Sequence, residues 1–230
     1  INMSILKFDN HTLELPNLKH SYEEDGFLVL RDFASPTETE LLERYAIAAR
    51  KVRLDELEKQ HNKKPEFAAL AVKGLQQNCE WLAKQMHEGP HLRLLEFLLG
   101  DSVCPVSAAL VDRPSGSEEG IYPHIDAAGR PWHPQAGITL WVALDSMDER
   151  NGCVSYVKGS HREKQARGLD IQGYEENSER VTTITVSRGD AIIHNALTVH
   201  WSGSNLTERP RKAITFFYYG EMAAGKLKVN

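Results

Sequence analysis

The second half of the chain alternates short apolar runs with clusters of turn-forming residues, and this pattern constrains the fold more than any other feature. The clusters are rich in glycine, proline, serine and aspartate, which favour tight turns. Short strands at regular spacing with turn signals between them are typical of β-sandwiches and β-barrels. Strands are predicted over residues 103–111, 121–126, 136–144, 153–157, 181–186, 190–194, 198–202 and 212–219.

The first hundred residues predict helices and a single strand, over residues 27–31. The segment from Ser35 to Glu38 is a helix-start signature, because Ser35 can act as the N-cap and Glu38 can complete a capping box. An amphipathic helix follows to about residue 53 or, at its longest, 59. We further expect a loop over 60–65, a short helix or covering segment over 66–73, and helices from about residue 79 and over His91–Leu99.

Composition and charge restrict the class of protein. The 230 residues are 41% hydrophobic and 26% charged, which is ordinary for a soluble globular chain. A net charge of −5 with no basic block argues against nucleic acid and membrane partners. No apolar run approaches the length of a membrane span, and no signal peptide is visible. Cys79, Cys104 and Cys153 form no CxxC pair, so we expect reduced thiols and a cytoplasmic protein.

His124 and Asp126 stand two residues apart in the predicted strand 121–126. Side chains two apart leave the same face of a strand, so these two can hold adjacent corners of a metal ion. His200, in a later predicted strand, is the candidate third ligand. Two histidines and one carboxylate form the facial triad of a non-heme Fe(II) oxygenase.

Arg211 and Ser202 supply the groups that a dicarboxylic oxo-acid needs at the end that does not chelate iron. Arginine binds a carboxylate through two hydrogen bonds and stays charged when enclosed. The Ser202 hydroxyl can add a further hydrogen bond. Arg209 is an alternative anchor, and we prefer Arg211 because it starts a predicted strand. The five residues together have the chemistry that a 2-oxoglutarate-dependent oxygenase requires.

Several blocks of the sequence, spread over about residues 22–219, resemble the phytanoyl-CoA dioxygenase family. Residues 189–205 followed by 209–215 look like its C-terminal signature, and His124-Ile-Asp126 looks like its His-x-Asp iron motif. The central block 139–161 and the strand 25–30 are also similar. Lys158 departs from the proline that this family usually carries. The chain is shorter than many members, which argues against a coenzyme A substrate.

The resemblance implies a mainly β fold with flanking α-helices, namely a double-stranded β-helix or jelly-roll, cupin-like barrel. It implies one domain over residues 1–230, with a helical part at about 20–100 and the barrel at about 101–220. Fe(II) would be held by His124, Asp126 and His200, with O2 as oxidant and ascorbate as a possible reductant. The residues assigned to 2-oxoglutarate are Arg211, Ser202, Trp141 and Thr139, although Trp141 fits a core position equally well.

The implied reaction is hydroxylation of an unactivated C–H bond of a small polar metabolite or natural-product intermediate, with release of succinate and CO2. Asp126 favours hydroxylation over halogenation, since related halogenases carry a small residue in its place. Desaturation, epoxidation and ring formation stay open as other outcomes. Four residues near the iron motif are candidate substrate contacts and suggest a small polar or anionic molecule. They are Tyr122, Arg130, Trp132 and His133, of which His133 fits a surface position equally well.

The remaining histidines and polar segments have simpler interpretations. We expect His194 to pack in or under the sheet rather than bind metal, and His161 to bond backbone at a turn. Segment 161–180, with parts of 60–78 and 127–135, is expected to cover the barrel mouth as lids.

Two other classes of protein stay open. A metal-dependent cupin-type enzyme without oxoglutarate explains the ligands but not Arg211. A non-catalytic ligand-binding jelly-roll explains the fold but not the coincidence of the five polar residues.

Overall fold

The computed structural model describes residues 15–61, 71–130, 132–165, 168–174 and 178–225. Four of the described helices come before most of the strands, and a short one follows the last strand. The helices are α1 (Leu15–Asp25), α2 (Pro36–His61), α3 (Glu80–Glu88), α4 (His91–Leu99) and α5 (Glu221–Gly225). None of the helices in these ranges is both long enough and apolar enough to cross a membrane.

Ten strands within the described ranges build two antiparallel sheets. The larger sheet has the strand order β1-β8-β5-β10-β3-β2, and the smaller has the order β4-β9-β6-β7. This arrangement confirms the predicted mainly β, double-stranded β-helix fold. The strands are β1 (Phe27–Leu30), β2 (Ala71–Lys73), β3 (Val103–Arg113), β4 (Ile121–His124), β5 (Gly137–Ala143), β6 (Val154–Val157), β7 (Val181–Ile184), β8 (Ala191–Asn195), β9 (His200–Ser202) and β10 (Arg211–Gly220).

The larger sheet is covered on both faces. One face packs against the helices, and the other faces the smaller sheet. Alternate residues of β5, such as Leu140, and of β10, such as Phe216, join a core with the helical residues Leu42, Leu82 and Leu95. The intervening residues point toward the smaller sheet. Every residue of β5 is buried, and the strand is apolar except for Thr139. The helices therefore support the sheet from behind, and its front face is free to build a site.

The helix ends follow the sequence signals. Ser35 and Glu38 form the predicted capping box, because the Ser35 amide donates to Glu38 Oε2 at 2.9 Å and the Glu38 amide donates to Ser35 Oγ at 3.3 Å. At the other end of the helical region, Gly100 closes α4 with a φ of 72°, a conformation that favours glycine. The predicted capping box is confirmed.

Two local predictions are wrong. Helix α2 continues to His61, so residues 60 and 61 are not part of a loop. Residues 71–73 form strand β2, which pairs with β3 through Val72 and Leu110. A short helix there is excluded because the edge of the larger sheet accepts these residues as a further strand. The rest of the predicted loop and covering segment, residues 62–70, lies outside the described residues.

The segment predicted as a lid is partly described. Its residues 168–171 are tied to the loop after β4, because the Ile125 amide donates to the Gly168 carbonyl at 3.0 Å and the Ile171 amide donates to the Pro123 carbonyl at 2.9 Å. Ile171 is buried. The segment therefore lies along the edge of the smaller sheet, and its role as a lid stays a prediction.

Candidate active site

The three predicted metal ligands meet between the two sheets. His124 ends β4 and His200 begins β9, and the two are directly opposite each other in the ladder. Asp126 Oδ1 lies 4.0 Å from His124 Nε2 and 3.9 Å from His200 Nε2. One ligand atom from each residue lies within 4.8 Å of the others. Two imidazoles and a carboxylate at this spacing fit a single metal ion.

Asp126 reaches this position by a route that the sequence did not predict. Strand β4 ends at His124, so Asp126 is not on the strand and the same-face argument is wrong. After His124 the backbone leaves the β4–β9 ladder, because the Ala127 amide donates to the Ala196 carbonyl at 3.0 Å. The resulting turn, rather than strand alternation, directs the carboxylate toward the two histidines.

Hydrogen bonds fix the tautomers of the two histidines. His124 Nδ1 lies 2.9 Å from the Tyr122 carbonyl oxygen, and His200 Nδ1 lies 2.9 Å from the Thr198 carbonyl oxygen. A carbonyl only accepts, so each Nδ1 carries the proton and each Nε2 offers a lone pair. Burial lowers the pKa of His124 and holds that of His200 well below its usual value, which keeps both rings neutral. This is the state that binds metal.

The second oxygen of Asp126 is held from the larger sheet. Oδ2 accepts from Thr139 Oγ1 at 2.5 Å and from His194 Nε2 at 2.8 Å. Thr139 and His194 are opposite each other on β5 and β8, so both side chains leave the same face of the sheet. Burial alone would raise the pKa of Asp126. The hydrogen bond from His194 and the electrostatic interaction with the surrounding imidazoles instead hold it well below its usual value, so the carboxylate is ionised.

Arg211 brings an uncompensated charge into the same cavity. Its side chain is only 1% exposed, and none of its three guanidinium nitrogens has a hydrogen-bond partner among the described residues. The hydroxyl of Ser202 is buried and likewise unpartnered within those ranges. Burial and the nearby Arg113 lower the pKa of Arg211 to about 10, so the group remains a cation at neutral pH. A buried cation without a counter-ion is strongly destabilising, so this end of the cavity is suited to an anion.

Two further groups surround the Arg211 guanidinium. The ring of Trp141 lies 5.9 Å from it, measured to the ring centroid. Arg113 is opposite Arg211 in the β3–β10 ladder and is also buried, and its Nε and Nη1 atoms have no partner in the described part of the chain. Burial lowers the pKa of Arg113, against the opposing charges of Asp112 and Glu119. Arg211 lines the cavity and Arg113 does not, so Arg113 adds positive charge beside the anion position without facing it.

Arg209, the alternative anchor, points elsewhere. Its guanidinium pairs with Asp148 at 2.7 Å on the surface, and its side chain is 46% exposed. It does not line the cavity, whereas Arg211 does. The anion-binding position belongs to Arg211.

A cavity of about 410 Å³ contains the metal ligands, Arg211 and Ser202. Thr139, Trp141 and Arg130 also line it, as does Lys73, which the sequence analysis did not select. Three of the candidate substrate contacts do not line the cavity in this structure. Tyr122 is 70% exposed, Trp132 is 44% exposed, and His133 Nδ1 accepts from the Gln135 amide.

Two functional side chains were missed because they are recognisable only from strand pairing. His194 was expected to pack in the sheet, and it does, but its ring also bonds Asp126. Tyr156, on β6, is opposite His200 of β9. Its hydroxyl oxygen lies 3.1 Å from His194 Nδ1. The sequence did carry one signal for His194, because it is a polar residue at the end of the apolar run 191–194. A buried polar group needs a hydrogen-bond partner. His161 bonds the Glu23 carbonyl at 3.1 Å, as predicted.

A family model described as phytanoyl-CoA dioxygenase (PhyH) matches residues 22–213. The chain belongs to the phytanoyl-CoA dioxygenase family. It is an iron- and 2-oxoglutarate-dependent dioxygenase. Rat peroxisomal phytanoyl-CoA dioxygenase is 27% identical over 240 residues, covering 91% of this chain and 69% of that protein.

Solved structures share the fold at lower identity. EctD from S. alaskensis, with 2-oxoglutarate and 5-hydroxyectoine, superposes with a TM-score of 0.72 at 20% identity, covering 96% of this chain and 81% of EctD. The epimerase SnoN, in complex with Fe³⁺, alpha ketoglutarate and nogalamycin RO, superposes with a TM-score of 0.70 at 22% identity, covering 90% of this chain and 83% of SnoN. These similarities place the chain in a fold shared by metal- and oxoglutarate-binding proteins.

The residues present fit both groups that the family uses. The Nε2 lone pairs of His124 and His200 face Asp126 Oδ1. These three atoms are the donor set of a facial triad. Arg211 and Ser202 leave buried polar atoms that an oxo-acid carboxylate would satisfy.

Replacing Arg211 with methionine should stabilise the ligand-free protein and abolish its response to 2-oxoglutarate. Removing an unpaired buried charge gains about 1–4 kcal/mol, and each kcal/mol raises the Tm by about 2–4 °C for a chain of this size. Wild type should gain about 5–10 °C in Mn(II) when 2-oxoglutarate is at a hundredfold excess over its Kd.

Thermal melts with and without 2-oxoglutarate check both effects. Arg209→Met is the matched control and should keep the full ligand-induced shift. A shift retained in Arg211→Met, or lost in Arg209→Met, would show that the anchor is misassigned.

Proposed function

We propose that this chain hydroxylates an unactivated C–H bond of a small anionic metabolite or natural-product intermediate. One observation carries the proposal: a buried, unpartnered guanidinium faces the same cavity as two histidines and a carboxylate at metal-binding distance. Neither a cupin-type enzyme without oxoglutarate nor a non-catalytic jelly-roll gives Arg211 a role.

In this proposal His124, Asp126 and His200 hold Fe(II), and Arg211 holds the distal carboxylate of 2-oxoglutarate with help from Ser202. Bound iron and 2-oxoglutarate supply the activation of O2, with release of succinate and CO2. Arg113, which is opposite Arg211 in the β3–β10 ladder but does not line the cavity, adds positive potential near that distal carboxylate. Trp141 packs against the guanidinium of Arg211 and limits the orientations that it can adopt.

The protein's own contribution is positioning and the exclusion of water. Ser202, Arg211 and the triad line one cavity, together with Tyr156 and with Thr139, which bonds Asp126. Thr139 donates a hydrogen bond to Asp126, so in this proposal it acts on the metal ligand and does not bind 2-oxoglutarate itself. Buried apolar walls keep bulk water from the reacting atoms and strengthen every charge interaction there.

The decisive assay is succinate formation from 2-oxoglutarate in the presence of Fe(II) and ascorbate. Wild type should form succinate, and Asp126→Ala should fall to the background measured without iron, because it removes the anionic ligand. Arg93→Met, a change on the exposed face of α4, serves as the control and should match wild type. If wild type forms no succinate, with or without added substrate candidates, the proposed reaction is wrong.

The charge of the cavity supports an anionic substrate. Its lining carries Lys73, Arg130 and Arg211, whereas Asp126 is the sole carboxylate among the described lining residues. Arg130 lies over the ring of Tyr219, 4.7 Å from its centroid, and forms no ion pair with any residue in the described ranges. With the co-substrate on Arg211, Arg130 remains available to a second anion.

The inner face of β10 suggests how such a substrate would lie. Residues two apart on this strand share a face, so Arg211, Thr215, Phe217 and Tyr219 follow one another along the cavity wall. The charged residue is at the buried end and the aromatic residues are toward Arg130. A substrate with an apolar body against Phe217 and an acidic group at Arg130 would fit this order.

Small carboxylic acids should therefore stimulate succinate formation more than their own primary amides. Arg130→Met should raise the half-stimulating concentration of an active acid about 10–100-fold. This factor corresponds to the free energy of one lost hydrogen bond to a charged group. Turnover without substrate should not change, and Arg93→Met should behave as wild type. Equal stimulation by acids and amides would exclude the anionic class.

The proposal includes a cytoplasmic location. All three cysteines are free thiols in the structure, although Cys79 and Cys104 are not fully buried. Free thiols of this kind are typical of proteins in a reducing compartment.

A further inference from the structure

We propose that His194, supported by Tyr156, is a positioning residue that fixes Asp126 as a metal ligand through one oxygen only. This inference rests on the proposed metal site and adds a residue to it. His194 lies on the larger sheet, outside the cluster of His124, Asp126 and His200 that offers ligand atoms. Its contacts assign it a different task from the other two histidines.

The hydrogen bonds give His194 the opposite tautomer from the two ligands. Its Nε2 lies 2.8 Å from Asp126 Oδ2, an acceptor, so Nε2 carries the proton. Its Nδ1 is therefore bare and accepts from the Tyr156 hydroxyl at 3.1 Å. The proton donors run in one direction, from Tyr156 through His194 to the carboxylate.

This tautomer excludes His194 as a fourth ligand, although its ring is close to the site. The ring centroids of His194 and His200 are 4.6 Å apart, similar to the 4.2 Å between His124 and His200. Both nitrogens of His194 are nevertheless occupied, one by the carboxylate and one by the hydroxyl. Only His124 and His200 present an unprotonated Nε2 to the centre.

Two donors on one oxygen determine how Asp126 can bind metal. Oδ2 accepts from both Thr139 and His194, while Oδ1 faces the two ligand histidines. Turning the carboxylate to chelate through both oxygens would weaken two charge-assisted hydrogen bonds. Binding through Oδ1 alone leaves three positions of an octahedral ion for the co-substrate and O2.

The supporting residues are held rigidly. His194 is 2% exposed, and Tyr156 is fully buried. The Tyr156 ring stacks on Phe27 with a centroid distance of 4.6 Å and on His200 at 5.5 Å. The contact series from Tyr156 to His194 to Asp126 thereby connects the smaller sheet with the larger one.

The test measures Co(II) affinity, by competition with a chelator, in place of activity. His194→Phe keeps the ring and removes the donor, and it should weaken binding about 10–100-fold, the usual effect of losing a group that orients a ligand. His194→Gln restores an N–H donor and should bind close to wild type. Tyr156→Phe should weaken binding less than His194→Phe. If His194→Phe does not fold, as judged by melting of the metal-free protein, the other two variants decide.

Paramagnetic NMR of the Co(II) form gives an independent count of bound imidazoles. Two exchangeable, strongly shifted N–H signals are expected, from Nδ1 of His124 and His200. A third signal that disappears in His194→Gln would make His194 a ligand and overturn the inference. Wild-type affinity in both His194→Phe and Tyr156→Phe would also overturn it. Absence of Co(II) binding by the wild type would instead refute the metal site itself.

Discussion

The carboxylate of Asp126 is the point at which the two sheets of the barrel act on one group. The smaller sheet contributes the two histidines that face Oδ1, and the larger sheet contributes the two donors that hold Oδ2. The carboxylate stays ionised despite burial because Oδ2 accepts two hydrogen bonds, and a buried charge needs such partners. The geometry of the candidate centre thus depends on the packing of the two sheets against each other.

The opposite end of the cavity is built on a different principle. Arg211 and Arg113 are buried opposite each other in the β3–β10 ladder, and neither guanidinium forms an ion pair with a described residue. Such an arrangement costs stability in the ligand-free protein, and the cost is recovered only when an anion binds. The helices behind the larger sheet supply the apolar burial that makes this tolerable. Affinity for an anionic co-substrate and local instability without it therefore have the same physical origin.

The sequence predicted the residues whose chemistry is distinctive and missed those defined by pairing. His124, Asp126, His200 and Arg211 combine unusual residue types with a known order, and the structure brings them into one cavity. The route was nevertheless wrong for Asp126, because strand alternation was assumed where a turn provides the orientation. His194 could not be assigned, since its partner is on another strand and the register is invisible in a single sequence.

The fold class was predictable because short strands and turn residues alternate along the chain. The ends of individual strands were not predictable. Strand β2 was missed because three residues at a sheet edge carry no periodic signal. Closeness in sequence also misled the choice of substrate contacts. Tyr122 and Trp132 are near the iron motif along the chain, yet their side chains are largely exposed. Only Arg130 of that group lines the cavity, because its loop turns back toward Tyr219.

One metal ion and one oxo-acid should bind in this cavity together. Anaerobic titration with Fe(II) and then 2-oxoglutarate tests this, because a 2-oxo-acid that chelates Fe(II) produces a visible charge-transfer band. The band should saturate at one equivalent of each per chain. Tight binding of Fe(II) without any band on addition of 2-oxoglutarate would contradict it.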